Sequence, residues 1–182
     1  MCSIDNEKFD VEFIQRTLDN LDSNSGAKYE VTMLLNCLVG LIIIPAEAYL
    51  KKNYNFLNKP IAGVLEVSQL MENQYFQPTS SRHKGGVYKP KQLTLANLIR
   101  SIRNSVAHNH IYCLPEDGKW RMVRVCDINE NNRQDGKPHL ELEVVWSIDQ
   151  LKRFCRFVAE RYLEGARSRP DVRLIPLESW RD

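Results

Sequence analysis

Residues 94–108 read TLANLIRSIRNSVAH. Leu95, Leu98, Ile99, Ile102 and Val106 recur at the three- and four-residue spacing of one helical face, with Thr94 placed as N-cap. The remaining arc carries Asn97, Arg100, Arg103, Asn104 and His108. At about 100° per residue, Asn104 and His108 stack at i and i+4, so Asn104 can orient the imidazole. A helix with an apolar stripe on one side and such a polar arc on the other packs into a bundle and offers its free face to a partner or ligand.

Toward the N-terminus the same period recurs. Asp10, in N-cap position before Val11, Phe13, Ile14, Leu18 and Leu21, predicts a helix over residues 10–22. Residues 29–44 are apolar around most of the circumference, as in a central bundle helix, and Pro45 interrupts them. A third helix is expected over 61–71, behind Pro60. Residues 72–91 have no sustained period and collect Pro78, Gly85, Gly86 and Pro90, which reads as a mobile loop.

Toward the C-terminus the period changes to two. Residues 120–125 and 139–146 alternate around Asp135, Gly136 and Pro138, the pattern of a β-hairpin. Ser147 and Gln150 then form a capping box for a fifth helix ending near Gly165, and residues 166–182 are a polar, Arg-rich tail. The expected fold class is therefore mainly all-α: an antiparallel bundle of about five helices with a small hairpin inserted before the last. One domain spans residues 1–182, with its core over about 10–165.

Composition agrees with a single ordinary domain: 182 residues, 25 Lys+Arg against 23 Asp+Glu, and 43% hydrophobic. The near balance of charge excludes a polycation. The most apolar run, residues 34–44, contains Asn36 and falls short of the roughly 20 residues of a membrane span. The first ten residues carry Asp5, Glu7 and Asp10 and lack the basic-then-apolar order of a signal peptide. Five cysteines without a C-x-x-C pair read as free thiols, so a cytoplasmic protein with no membrane partner is expected. No Walker loop, G-x-S-x-G elbow or dinucleotide fingerprint occurs.

The spacing from Arg103 to His108 is by itself a weak signal, since this composition yields about 0.3 such matches by chance. Arg133 and His139 form a looser decoy, but Gly136 and Pro138 between them forbid a helix. Helical context and the Asn after the Arg single out Arg103, Asn104 and His108. Other readings stand beside this one. An arginine and a histidine at a helix end can simply meet the last carbonyls, His110 can take the place of His108, and His108, His110, Cys113 and Cys126 or His139 could gather a zinc ion.

The R-N-x-x-x-H pattern on a late helix of a helical bundle resembles the signature of the HEPN superfamily. The run at 34–45, followed by Glu47, is similar to the second-helix region of bacterial and plasmid-borne members. Glu47 and Lys51 match the E-x3-K pattern of some members, and equally an ordinary i, i+4 pair. The resemblance implies an endoribonuclease that needs no cofactor and no metal, dimerises so that two motifs meet, and belongs to toxin, defence or RNA-processing systems. Its implied partners are RNA, a second copy of the chain and a cognate antitoxin or inhibitor.

In that chemistry a neighbouring 2′-hydroxyl attacks the phosphate. Arg103 would stabilise the phosphorane, and His108 would move protons, with the second copy supplying the second group. Glu47, Lys51 and His110 are supporting candidates. Residues 82–124 hold nine basic side chains against Glu116 and Asp117, so Arg82, Lys84, Lys89, Lys91 and Arg100 are candidate RNA contacts, with His83 and Tyr88 available to bases. The competing reading is a non-catalytic RNA-binding or protein-interaction module on the same scaffold.

Overall fold

The computed structural model describes residues 9–23, 30–44, 46, 55–76, 93–134 and 136–166. Five α-helices appear among them: α1 (Phe9–Ser23), α2 (Glu30–Leu38), α3 (Leu65–Leu70), α4 (Leu95–Ala107) and α5 (Ile148–Ala166). Four strands accompany them: β1 (Tyr75–Phe76), β2 (Ile111–Glu116), β3 (Lys119–Gln134) and β4 (Lys137–Ser147). The strands form one antiparallel sheet in the order β1-β4-β3-β2. The expected five helices and the hairpin before the last of them are present, while the expectation of a mainly all-α bundle is corrected: helices and a four-stranded sheet share one core.

The hairpin residues explain why. Along β3 and β4 the inward positions Val123, Val125, Leu142, Val144 and Trp146 are all buried, so this face must be covered by helices rather than solvent. It packs on α4 and α5. Trp146 is fully buried against Phe154, with ring centroids 5.1 Å apart, and its indole Nε1 donates to the Leu70 carbonyl at 2.8 Å. Gln74 Oε1 accepts from the Val145 amide at 2.8 Å, extending the β1 pairing by one side-chain bond.

The helical predictions fare better. Thr94 caps α4, its side chain accepting from the Asn97 amide, and Leu95, Leu98, Ile99 and Ile102 are buried. The Ser147/Gln150 capping box is present in both directions, at 3.1 and 2.8 Å. Asp10 is the second residue of α1 rather than its cap, and it accepts from the Tyr162 hydroxyl of α5. The second helix changes to a π-turn over Val39–Ile43, one residue short of Pro45, which has no N–H to continue the ladder. There Gly40 lets α1 approach closely, because a Cβ would lie 2.8 Å from both Phe13 Cε1 and Thr17 Oγ1.

The third helix is broken, a 3-10 turn over Ile61–Gly63 and then α3, with Val64 extended between them. Of residues 72–91, read above as a loop, Tyr75 and Phe76 form the edge strand, and residues 77–91 lie outside the described residues. The start of α4 is tied to the segment before α3 by Ile61 N to Leu93 O (2.9 Å) and Leu95 N to Lys59 O (3.1 Å). The far end of α4 runs within three residues into β2, so the sheet and the motif helix are mechanically joined.

Candidate active site at the end of the fourth helix

The arginine of the motif lies just before the last turn of α4, and the histidine caps that turn. His108 is the C-cap, Asn109 follows with φ of +58°, and the His110 amide donates to the Ser105 carbonyl at 2.8 Å while that of Asn109 donates to Val106 at 3.2 Å. These two bonds make a Schellman motif with asparagine at the left-handed position. It fixes His108 and His110 on either side of the chain reversal, with ring centroids 6.2 Å apart. The His110 carbonyl then accepts from the Cys126 amide of β3 at 3.0 Å, which clamps the cap to the sheet.

A β-branched residue tolerates the left-handed region poorly, whereas glycine adopts it freely. Asn109→Val should therefore cost about 1–2 kcal/mol and displace both histidines, while Asn109→Gly should keep stability and site together. Chemical denaturation of the two variants checks this, and equal stabilities would show that the cap does not hold the reversal.

Arg103 is half-buried and donates from Nη1 to the Asn104 Oδ1 at 3.0 Å. Asn104 holds His108 through the backbone, the His108 amide donating to its carbonyl at 2.9 Å. Its side chain faces Arg103 and, on its other side, Asp127, instead of the imidazole that i, i+4 stacking alone suggested. His108 is exposed. Arg100 donates to Asn97 Oδ1 at 3.1 Å one turn earlier on the same helix.

Asp127 is a buried neighbour of the motif that sequence reasoning missed. It lies on β3 at an inward position, only 6% exposed, opposite Leu142. Ser101 and Asn104 of α4 face its carboxylate, and Oδ2 is sealed from solvent with no hydrogen-bond donor among the described residues. Burial pushes its carboxyl above the ordinary value of 3.8, and Glu141 adds to this, while the bonds from Ser101 and Asn104 and the nearby His108 oppose it. A signal did exist in the sequence: period-two alternation through Val123 and Val125 puts a carboxylate at the next core-facing position.

A raised carboxyl makes the native state bind its proton more tightly than the unfolded chain does. Its contribution to stability is full below the ordinary value of 3.8 and is lost as pH rises through the raised value. Removing this charge at neutral pH should therefore leave the fold at least as stable.

The remaining candidates divide cleanly. Glu47, Lys51, Arg82, His83, Lys84, Tyr88, Lys89 and Lys91 lie outside the described residues. Of the basic side chains closer to the motif, Arg124 pairs with Glu143 at 2.5 Å, and Lys119 and Arg121 are exposed. No group of three or more His, Cys, Asp or Glu that could hold a metal ion occurs among the described residues, so His108, His110, Cys113, Cys126 and His139 do not converge there as a zinc site. Cys37, Cys113, Cys126 and Cys155 are free thiols, each pushed up by burial and hence a poor thiolate. Among the described residues no helix is long and apolar enough to cross a membrane.

Comparison with known proteins gives one finding. No curated protein and no solved structure matches the chain. The model of the family described as HEPN pEK499 p136 matches residues 1–168, which include every element of the fold and the whole Arg103 to His108 motif. With the match covering far more than half of its length, the chain belongs to the HEPN pEK499 p136 family, and so to the HEPN superfamily.

Proposed function

We propose that the protein is a metal-independent endoribonuclease that acts as a homodimer. The observation that carries this reading is the local one: a guanidinium bonded to Asn104, followed five residues later by an exposed histidine whose backbone is set by a Schellman cap at the end of the same helix. The reaction is attack of a ribose 2′-hydroxyl on the adjacent phosphate. One group takes the 2′ proton, another protonates the departing 5′-oxygen, and Arg103 stabilises the charge on the phosphorane. The products are a 2′,3′-cyclic phosphate and a 5′-hydroxyl.

Two proton-transfer groups are needed, and in a two-fold dimer the second is the partner's copy of His108. His110 sits 6.2 Å from His108 in the same chain and supports the cap and the substrate edge in this scheme. Arg100 and the basic residues at 82, 84, 89 and 91 contribute phosphate contacts. A cognate antitoxin or inhibitor would cover the helix end in a toxin or defence setting.

The test is incubation of the purified chain with mixed RNA in EDTA, with product ends read by phosphatase and kinase sensitivity, alongside sedimentation at micromolar concentration. Cleavage to cyclic phosphate ends by a particle of about twice 21.2 kDa supports the proposal. RNA that binds without being cut would favour the non-catalytic module. Activity from a stable monomer would abolish the shared site and leave His110 as the second proton carrier.

A further inference from the structure

The motif helix is held against a sheet that the minimal bundle reading treated as peripheral, and the contact between them is polar where it matters. On α4, Ser101 and Ser105 are buried, at 2% and 0% exposure, on the side that meets β3. Ser105 donates to the Ser101 carbonyl at 2.7 Å, and the Ser101 side chain faces the Asp127 carboxylate. The register of β3 against β4 shifts beside Asp127: it pairs with Leu142, while Ile128 pairs with Leu140. The residue left over is Glu141, so a β-bulge lies directly across from the buried carboxylate. Asn129 holds Glu141 by a 2.8 Å bond from Nδ2.

The orientation of Asn104 follows from its two neighbours. A guanidinium can only donate, so the Arg103 side requires the amide oxygen. A carboxylate can only accept, so the Asp127 side requires the amide nitrogen. Both demands are met by one amide rotamer and neither by its flip. Exchange of either end for an apolar group would free the amide to turn.

We propose that Asp127 is a positioning residue of the motif: its carboxylate fixes the Asn104 amide, and that amide holds the Arg103 guanidinium, in an Asp–Asn–Arg relay. The relay reaches from the sheet through the helix to the group that meets the phosphate. It explains the presence of a charge in the core, where a valine or leucine would pack with less cost. Asp127 itself touches no substrate. The titratable and charged groups facing it are Glu141 from β4 and His108 from the end of α4, with Ser101 and Asn104 as donors. The assignment rests on the ribonuclease reading for its consequence, and its first readout needs no RNA.

The experiment uses the full chain and Asp127→Asn, which keeps size and one acceptor oxygen. In nitrogen-resolved NMR the Asn104 side-chain amide protons of the wild type should shift with a single titration, its midpoint above the ordinary carboxylate range. In Asp127→Asn that titration should vanish while the melting temperature at neutral pH stays equal or rises. In cleavage assays, Asp127→Asn should lower kcat/KM by about tenfold to a hundredfold, as expected for a misplaced catalytic group. In an Asn104→Ala background the same change should add almost nothing, because both act through one chain of bonds.

An Asn104 signal indifferent to Asp127→Asn, or losses that simply multiply, would overturn the relay. So would an Asp127→Asn chain that fails to fold, since the charge would then be structural. Wild-type chain that shows the titration yet cuts no RNA would remove the ribonuclease reading and leave the relay standing.

Discussion

His108→Ala and Arg103→Ala should each lower RNA cleavage in EDTA by about a hundredfold or more, the scale of losing a general acid–base group or an electrostatic stabiliser. The two losses have different signatures. His108 is exposed and its place is fixed by the backbone cap, so its removal should spare both melting temperature and RNA affinity. Arg103 is half-buried and bonded to Asn104, and Arg103→Lys should recover only part of the rate, because an ammonium cannot grip two phosphate oxygens at once. The double variant should be little worse than either single one, since groups that act as a unit lose activity together. His110→Ala should cost less than His108→Ala. Equal losses would place both proton transfers in one protomer, and undiminished rates in folded Arg103 and His108 variants would take these residues out of the site.

How much of this was legible depends on whether the determinant was local. Thr94 and the Ser147/Gln150 box mark their helix ends through bonds spanning three residues, so the sequence pattern and the structure agree. The sheet depends on pairings far apart in the chain. Tyr75 bonds next to Glu143, and a two-residue strand carries no period of its own. Strand β3 runs on through Asp127, Asn129 and Glu130, polar residues that carry no apolar alternation to mark them as strand. Pro115 likewise hides β2, where it sits at an edge and a bulge.

The site divides along the same line. Arg103, Asn104 and His108 are visible as a short motif on one helix. The side chain that bonds Asn104 Oδ1 is the adjacent Arg103, and Asp127, 23 positions away on a strand whose length was underestimated, is a neighbour that i, i+4 geometry does not reveal. Membership of the HEPN superfamily rests on the match over residues 1–168 and does not by itself tell which residue orients the arginine.

Trp146→Ala should cost about 3–5 kcal/mol in urea denaturation, as expected for emptying a large core site. Against a total of about 5–15 kcal/mol for an ordinary domain, that brings the fold close to failure. The reasoning separates two pictures of the strands. If they were an inserted hairpin shaping access to an independent bundle, truncating a strand residue would disturb the hairpin and leave the helices standing. Trp146 instead stacks on Phe154 of α5, bonds the Leu70 carbonyl at the end of α3, and lies opposite Val123 of β3, which packs on α4. Its loss is felt by three helices and the sheet at once, so helix and sheet signals should fall in one transition. Trp146→Phe should retain the stacking and forfeit the indole bond, leaving the Leu70 carbonyl unpaired at a cost of about 1–3 kcal/mol. A loss under 1 kcal/mol for the alanine variant, or a helical signal that outlasts the sheet, would return the strands to the role of an appendage and leave Asp127 without a rigid base from which to hold Asn104.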